Sequence, residues 1–381
     1  MFGAAKLMAE ICERMKQPGI IGEILAGVIL GPSLLNWVQP NQVIAALAEM
    51  GAMFLLFRVG LEVKASELFR LGRTALLVAL LGVVFPFLVG VVIFRLHGYD
   101  VAASLFVGAA MVATSVGITA QVLASRGLLA KPASRVILAA AVIDDVLGLI
   151  VLTFVSSFAA QRVNILGLVF TAGLAAGFTF VIARFGTGAL KRIVPALERK
   201  LSLNDAQFHI ALVILFGLAL LAVDVGVAAI VGAFLAGLAL SETANRRVHD
   251  LAHGVVELLV PFFLGNVGLQ LNVRDLGNRE TIVLSIVVLF AAVATKLIGC
   301  GLGAMPLGRA DAMRVAVGMI PRGEVGIVVA QIGLGMGIIQ SPVYATIVVM
   351  TIGTTLLAPP LLKSAFQNLR PDFTREQFSI G

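Results

Sequence analysis

Apolar runs of about 20 residues, parted by short polar punctuation, recur along the whole chain. A helix of that length crosses a hydrocarbon core ~30 Å thick. The pattern predicts thirteen such segments, at 2–15, 18–37, 42–62, 74–95, 101–125, 134–157, 163–185, 206–223, 225–241, 248–270, 280–304, 310–338 and 341–364. Asp100, Pro195 and Arg274 fall in the loops between them, and no interval is long enough for a sizeable soluble domain. The expected fold is an all-α membrane protein of about 13 transmembrane helices, one polytopic domain over residues 1–381.

The two halves of the pattern echo each other. Gly22–Gly27 (GEILAG) resembles Gly232–Gly237 (GAFLAG) at an offset of 210, Phe54–Leu61 resembles Phe262–Leu269 at 208, and Ser115–Ile118 resembles Glu324–Ile327 at 209. Each match alone is weak, because small-residue patterns are common in membrane helices. Three in order at nearly one offset argue for a repeat. Corresponding segments lie seven apart, an odd number of crossings, so the second copy is inverted. That is the architecture of secondary transporters, whose substrate site lies near the midplane. Repeat one then spans about 1–157, repeat two about 206–364, and segment 163–185 links them.

Segments 5 and 12 carry helix-breaking chemistry at matching places, Ala113–Thr119 (ATSVGIT) and Ile320–Gly326 (IPRGEVG). Pro321 removes a backbone donor, and glycine permits non-helical dihedrals. Both are expected to be discontinuous helices that cross near the midplane, which is tolerated where they line a cavity.

Composition agrees with a membrane protein: 59% of residues are hydrophobic and 13% charged, and the mean hydropathy is +1.03. The net charge of +7 raises the possibility of a nucleic-acid partner, but its distribution argues against one. Sorting the 28 Lys and Arg by alternate faces puts twenty on one side, among them Arg14, Arg126, Lys131, Lys191 and Arg246, and five on the other. Lys/Arg bias of this kind marks the cytoplasmic side, so the N-terminus is expected outside and the C-terminus inside a cell (inner) membrane. Cys12 and Cys300 form neither a disulfide framework nor a metal-binding spacing.

Three basic residues remain inside segments, Arg58, Lys296 and Arg322, and segment 6 holds the adjacent acids Asp144 and Asp145 within an otherwise uncharged Val136–Leu152. Ionisable groups at membrane depth are costly and mark functional sites. Consecutive residues point about 100° apart on a helix. One acid can therefore face a protein partner while the other faces an aqueous path. Lys296 is the only lysine deep in an apolar segment, so Asp144 is expected to pair with it and Asp145 to face the ion path. Away from bulk water and beside a like charge, Asp145 is suited to trade a proton for a metal cation. A purely structural Asp144–Lys296 clasp does not account for Asp145. Thr114, Ser115 and Thr119 offer hydroxyl oxygens of the kind hard cations take, or they satisfy backbone groups freed at the break. Arg322 and Glu324 flank the second break, where they are expected to offset half-helix charges. Glu23, Glu49, Glu62, Glu257 and Arg58 read as helix-end residues, Asp224 as a loop acid, and His249 and His253 as solvated loop histidines.

Ala113–Thr119, Ala141–Gly148 (AVIDDVLG), Lys296 and Pro321–Gly326 together resemble the cation:proton antiporter-2 family, most closely its NapA-type Na⁺/H⁺ antiporters with the NhaA fold. The resemblance runs from about Gln17 to the last segment. It implies a homodimer, a scaffold of segments 1, 2, 8 and 9, and core halves from segments 3–6 and 10–13. It carries ion binding onto Asp145 and the lysine-paired role onto Asp144 and Lys296. Members with Asp-Asp plus Lys resemble the electrogenic branch, exchanging two protons for one Na⁺ or Li⁺; gated K⁺-efflux members often differ at the first Asp. Segment 1 is shorter than that family's first helix.

The expected function is elevator-type monovalent cation/proton antiport, without enzymatic activity or a resident cofactor, its partners being small cations, protons and the lipid bilayer. A K⁺/H⁺ antiporter and a Na⁺-coupled organic-solute symporter are the alternatives. An aspartyl hydrolase needs two carboxylates converging on one water, and neighbours on one helix diverge. A Mg²⁺-dependent prenyl transferase would want further spaced acids, but apolar residues follow Asp145. Nothing resembles a channel's selectivity filter.

Overall fold

The computed structural model describes residues 1–15, 17–62, 72–159, 165–199, 205–270 and 279–369, and among them it contains helices and no strand. The helices are α1 (Phe2–Arg14), α2 (Gly19–Leu30), α3 (Gln42–Glu62), α4 (Gly72–Leu96), α5 (Val101–Val112), α6 (Val116–Ser125), α7 (Pro132–Ala159), α8 (Ile165–Glu198), α9 (Ala206–Asp224), α10 (Ala229–Leu240), α11 (Arg246–Leu269), α12 (Arg279–Gly303), α13 (Arg309–Gly318), α14 (Glu324–Gly335) and α15 (Ser341–Ala365). Nine helical stretches among the described residues are long and apolar enough to cross a membrane, with 101–125 taken across its break. α2, α10 and 325–335 of α14 are apolar but shorter.

Local chemistry sets the boundaries. Asp100 and Asn245 accept hydrogen bonds from Ala103 N (2.8 Å) and Val248 N (3.0 Å), capping α5 and α11. Helix α2 stops at Leu30, short of the expected 37, because Gly31 precedes Pro32 and is held extended (φ −78°, ψ −171°). Pro195 lies inside α8 rather than in a loop: helix-forming residues on both sides carry the helix to Glu198 past one missing donor. Asp224 ends α9, and His249 and His253 belong to the first turns of α11, not to a loop. Arg274 lies outside the described residues.

Two blocks account for the packing. α1, α2, α3, α9, α10 and α11 form one, and α4–α7 and α12–α15 the other, with α8 running beside α7, α9 and α10. α3 and α11, expected in the core halves, instead pack with the scaffold helices. Glycine is the reason. A Cβ on Gly27 would collide with the Gly265 carbonyl, and one on Gly237 with that of Phe57. On Gly268 and Gly237, a Cβ would lie 3.0 Å from the Cα of Gly27 and Gly60 respectively. Backbones therefore touch along the α2–α11 and α3–α10 seams, which no side chain could permit. Where the blocks meet, a Cβ on Gly117 of α6 would approach only the Phe263 ring (3.2 Å) and Leu56 (3.7 Å), side chains rather than backbone.

These seams set an expected stability order. Gly27→Ala and Gly237→Ala should each destabilise by about 1–3 kcal/mol through overpacking. Gly177→Ala on α8, with nothing within 4 Å of the added methyl, should be neutral within about 0.5 kcal/mol or slightly stabilising. Thermal unfolding of the three variants in detergent tests this; equal melting temperatures would remove the seams' importance.

Candidate cation site

The site is built where two interrupted helices cross. The polypeptide leaves α5 at Val112, runs extended through Ala113 (ψ 134°) and Ser115 (ψ 96°), and re-enters a helix at Val116. Its counterpart leaves α13 at Gly318 and enters α14 at Glu324 after an extended Gly323. The gaps meet: Ser115 N donates to Pro321 O at 2.8 Å. A Cβ on Gly323 would lie 2.8 Å from that of Ser115, so only glycine lets the two extended segments cross this closely.

Every half-helix end leaves backbone groups without helical partners. Arg322, fully buried, answers for one end: its Nη1 donates to Val112 O (3.0 Å) and Ala113 O (3.4 Å). Positive charge at a C-terminal end opposes the helix dipole. Its Nη2 donates to Ala292 O (3.2 Å) on α12, one turn before Lys296. Thr354 and Thr355 of α15 clasp the Arg322 backbone, accepting from its N (3.1 Å) and donating to its O (2.8 Å). Thr119 Oγ1 donates to Gly318 O (2.7 Å). Thr114 Oγ1 is buried with no hydrogen-bond partner among the described residues. The Glu324 side chain lies outside the described residues.

Beside the crossing, α7 presents its two acids and α12 its lysine. Lys296 Nζ stands 3.4 Å from both carboxylate oxygens of Asp144, and neither side chain has exposed surface. A pair so buried has lost hydration that only mutual attraction and hydrogen bonds can replace. Asp145 points elsewhere. It is half-buried in a narrow apolar cleft with Leu56 of α3, Val116 of α6, Val142 of α7, and Ile230 and Phe234 of α10, so it faces the opposite block.

Two larger clefts lie between the blocks. One, of about 500 Å³, is lined by Gln17, Ile20, Glu23, Gln121, Arg126, Glu257 and Lys363. The other, of about 610 Å³, is lined by Glu49, Gly226, Ile230, Asn266, Gln270 and Gln331, and shares Ile230 with the Asp145 cleft. Glu257 and Gln270 lie roughly 20 Å apart along α11, so the clefts approach from different ends. Glu23 does not snorkel: it is buried, 3.4 Å from Lys6, which also reaches Glu257 at 3.3 Å. Arg58 Nη1 contacts His253 Nδ1 at 3.0 Å.

In the sequence the Thr354–Thr355 clasp shows only as hydroxyls repeated at Thr351, Thr354 and Thr355 in an apolar helix, a signal that does not say what they hold. The Ala292 carbonyl had no signal at all, since backbone acceptors carry no residue identity.

Crossed helix breaks, a buried acid–base pair and clefts from two ends define a polytopic membrane carrier of small ions. The chain belongs to the sodium/hydrogen exchanger family, whose transmembrane model matches residues 3–367. It is 33% identical over 372 residues to the Na⁺/H⁺-K⁺ antiporter GerN of Bacillus cereus, covering 95% of this chain and 94% of that one. It is 31% identical to the high-affinity Na⁺/H⁺ antiporter NhaS3 of Synechocystis, covering 99% and 90%. In fold it is similar to the sodium proton antiporter MjNhaP1 of Methanocaldococcus jannaschii at pH 8 (TM-score 0.67, 19% identity, 96% and 94% covered).

The buried pair predicts a non-additive response. Asp144→Ala alone strands the Lys296 ammonium and should cost about 3–5 kcal/mol. Asp144→Ala combined with Lys296→Met removes both charges and should recover most of that loss. A double-mutant cycle on thermal stability measures the coupling, and additive losses would refute it.

Proposed function

We propose that this chain is an electrogenic Na⁺(Li⁺)/H⁺ antiporter of the NapA type. The observation that carries the reading is the division of labour within one aspartate pair: Asp144 is committed to Lys296, and Asp145 faces the cleft between the blocks. Asp145 is the carrier, holding a proton or a cation in turn, with Thr114, Ser115 and Thr119 the nearby hydroxyls available as further ligands. Thr119 Oγ1 spends its hydrogen on Gly318 O, which leaves lone pairs for a cation. Arg322 and Glu324 are assigned to charge compensation at the break.

Thirteen crossings in two inverted repeats fit the packing. The Gly27–Gly268 contact has its repeat mate in Gly237–Gly60, at offsets of 210 and 208. The clefts are mates too: Glu257, Gln121 and Ile20 line one, and Glu49, Gln331 and Ile230, at offsets of 208, 210 and 210, line the other. Alternating access then follows from moving the core block against the scaffold, as in an elevator. Support for that motion comes from the seams, tied backbone to backbone within the scaffold but touching the core at Gly117 only through side chains. A homodimer through the scaffold, a bacterial inner-membrane location, an external N-terminus and a cytoplasmic C-terminus complete the reading. Two protons against one Na⁺ move one net charge, coupling each cycle to the membrane potential at about 2.3 kcal/mol per 100 mV. The name of GerN brings K⁺/H⁺ exchange forward as the second reading.

Cation-evoked dequenching of a pH dye in proteoliposomes tests the assignment. Na⁺ and Li⁺ should drive proton movement in the wild type, with loss of essentially all signal in Asp145→Asn. Full exchange in that variant would sink the carrier assignment. A response to K⁺ equal to that for Na⁺ would favour the second reading.

A further inference from the structure

A lysine side chain is a flexible four-carbon stem, so holding its ammonium at one place inside a protein requires walls. One wall for Lys296 is missing an atom. Gly82 lies mid-helix in α4, where glycine costs roughly 0.5–1 kcal/mol relative to alanine and no positive φ excuses it. A Cβ there would lie 3.4 Å from Lys296 Nζ and 2.7 Å from Cys300 Sγ. Cys300 is one turn beyond Lys296 on α12, and both are fully buried. α12 is tight against α4 along the same face: a Cβ on Gly299 would lie 2.5 Å from Leu81 O, and one on Gly303 2.7 Å from Val78 Cα.

We propose that Gly82, with Cys300 below it, is the seat that fixes Lys296 against Asp144, making Gly82 a positioning residue for cation/proton exchange. The inference rests on reading Asp145 as the carrier and goes beyond it, because it concerns what holds the neighbouring pair. A methyl at residue 82 has two reliefs. Cys300 Sγ rotates toward the Lys296 seat, or α12 withdraws from α4 and carries Lys296 with it. Either displaces the ammonium from Asp144, which alters the field at Asp145. Gly90, two turns further along α4, is the control: its added Cβ would lie 2.7 Å from Met111 Sδ and 3.0 Å from Gly108 Cα, at least as crowded but with no charged group among its nearest neighbours.

The test compares Gly82→Ala, Gly82→Ala/Cys300→Ala and Gly90→Ala with wild type in proteoliposomes, reading Na⁺-evoked proton movement across pH alongside melting temperature. Gly82→Ala should move the midpoint of the pH profile by about one unit. The double variant, which removes the thiol the methyl would strike, should return it toward wild type. Gly90→Ala should lower melting temperature and leave the profile in place. A Gly82→Ala profile superimposable on wild type, or one that moves no more than that of Gly90→Ala, overturns the proposal. Should Gly82→Ala fail to fold, Cys300→Val crowds the Gly82 backbone from the other side, and an unmoved profile there is equally decisive. Absence of Na⁺ or Li⁺ exchange in the wild type would instead strike at the antiporter reading itself.

Discussion

Two opposite charges without exposed surface, Asp144 and Lys296, set the constraint around which the core is arranged. Taking both from water costs several kcal/mol per ion, and the attraction repays it only at close range with good geometry. The distance between α7 and α12 is therefore not free to vary. α12 is held by its glycine face on α4, and by Arg322, whose guanidinium grips the Ala292 carbonyl one turn from the lysine. The same Arg322 grips the carbonyls that end α5. One side chain thus ties the crossing to the helix that carries the lysine.

That coupling makes sense of an expensive feature. A buried guanidinium is as costly as a buried ammonium, yet Arg322 forms no ion pair with a carboxylate among the described residues. Its counter-charge is distributed over carbonyls at the end of a half-helix and on α12. Backbone dipoles are fixed in place and do not titrate. An interrupted helix and a buried arginine are each unfavourable alone, and each supplies what the other lacks. The threonines of α15 then lock the Arg322 backbone, so its side chain leaves from a fixed point.

How much of this the sequence displayed depends on whether identity or placement carried the information. Long apolar runs located the helices, since composition alone distinguishes membrane-crossing segments. Pro321 and its glycines marked one break by backbone chemistry; Thr114 and Ser115 marked the other only by resemblance to it. Asp144 could be matched to Lys296 because no other lysine lies so deep. The scaffold membership of α3 and α11 was hidden, because glycine spacing says a close approach exists without saying to what. The position of Pro195 misled, since proline signals a helix end far more often than a tolerated interior site. Gly82 was invisible among 40 glycines until Lys296 and Cys300 were seen against it.

On the proposed reading, the paired clefts also limit where the free energy of transport can act. A carrier that changed its ligands at every step would have to rebuild the crossing, breaking hydrogen bonds whose partners are buried. A carrier that moves its core as a body keeps Arg322, Thr119 and the Asp144–Lys296 pair intact and alters only what Asp145 faces. The interface around Asp145 is suited to that, being formed by apolar side chains such as Leu56, Ile230 and Phe234 that lose no hydrogen bond on sliding. The charge at Asp145 then governs the motion: an ionised carboxylate with no cation is costly to carry through that apolar wall, and a neutralised one is not. Exchange without leak follows from the same penalty, because the unloaded carrier is the species the wall opposes most.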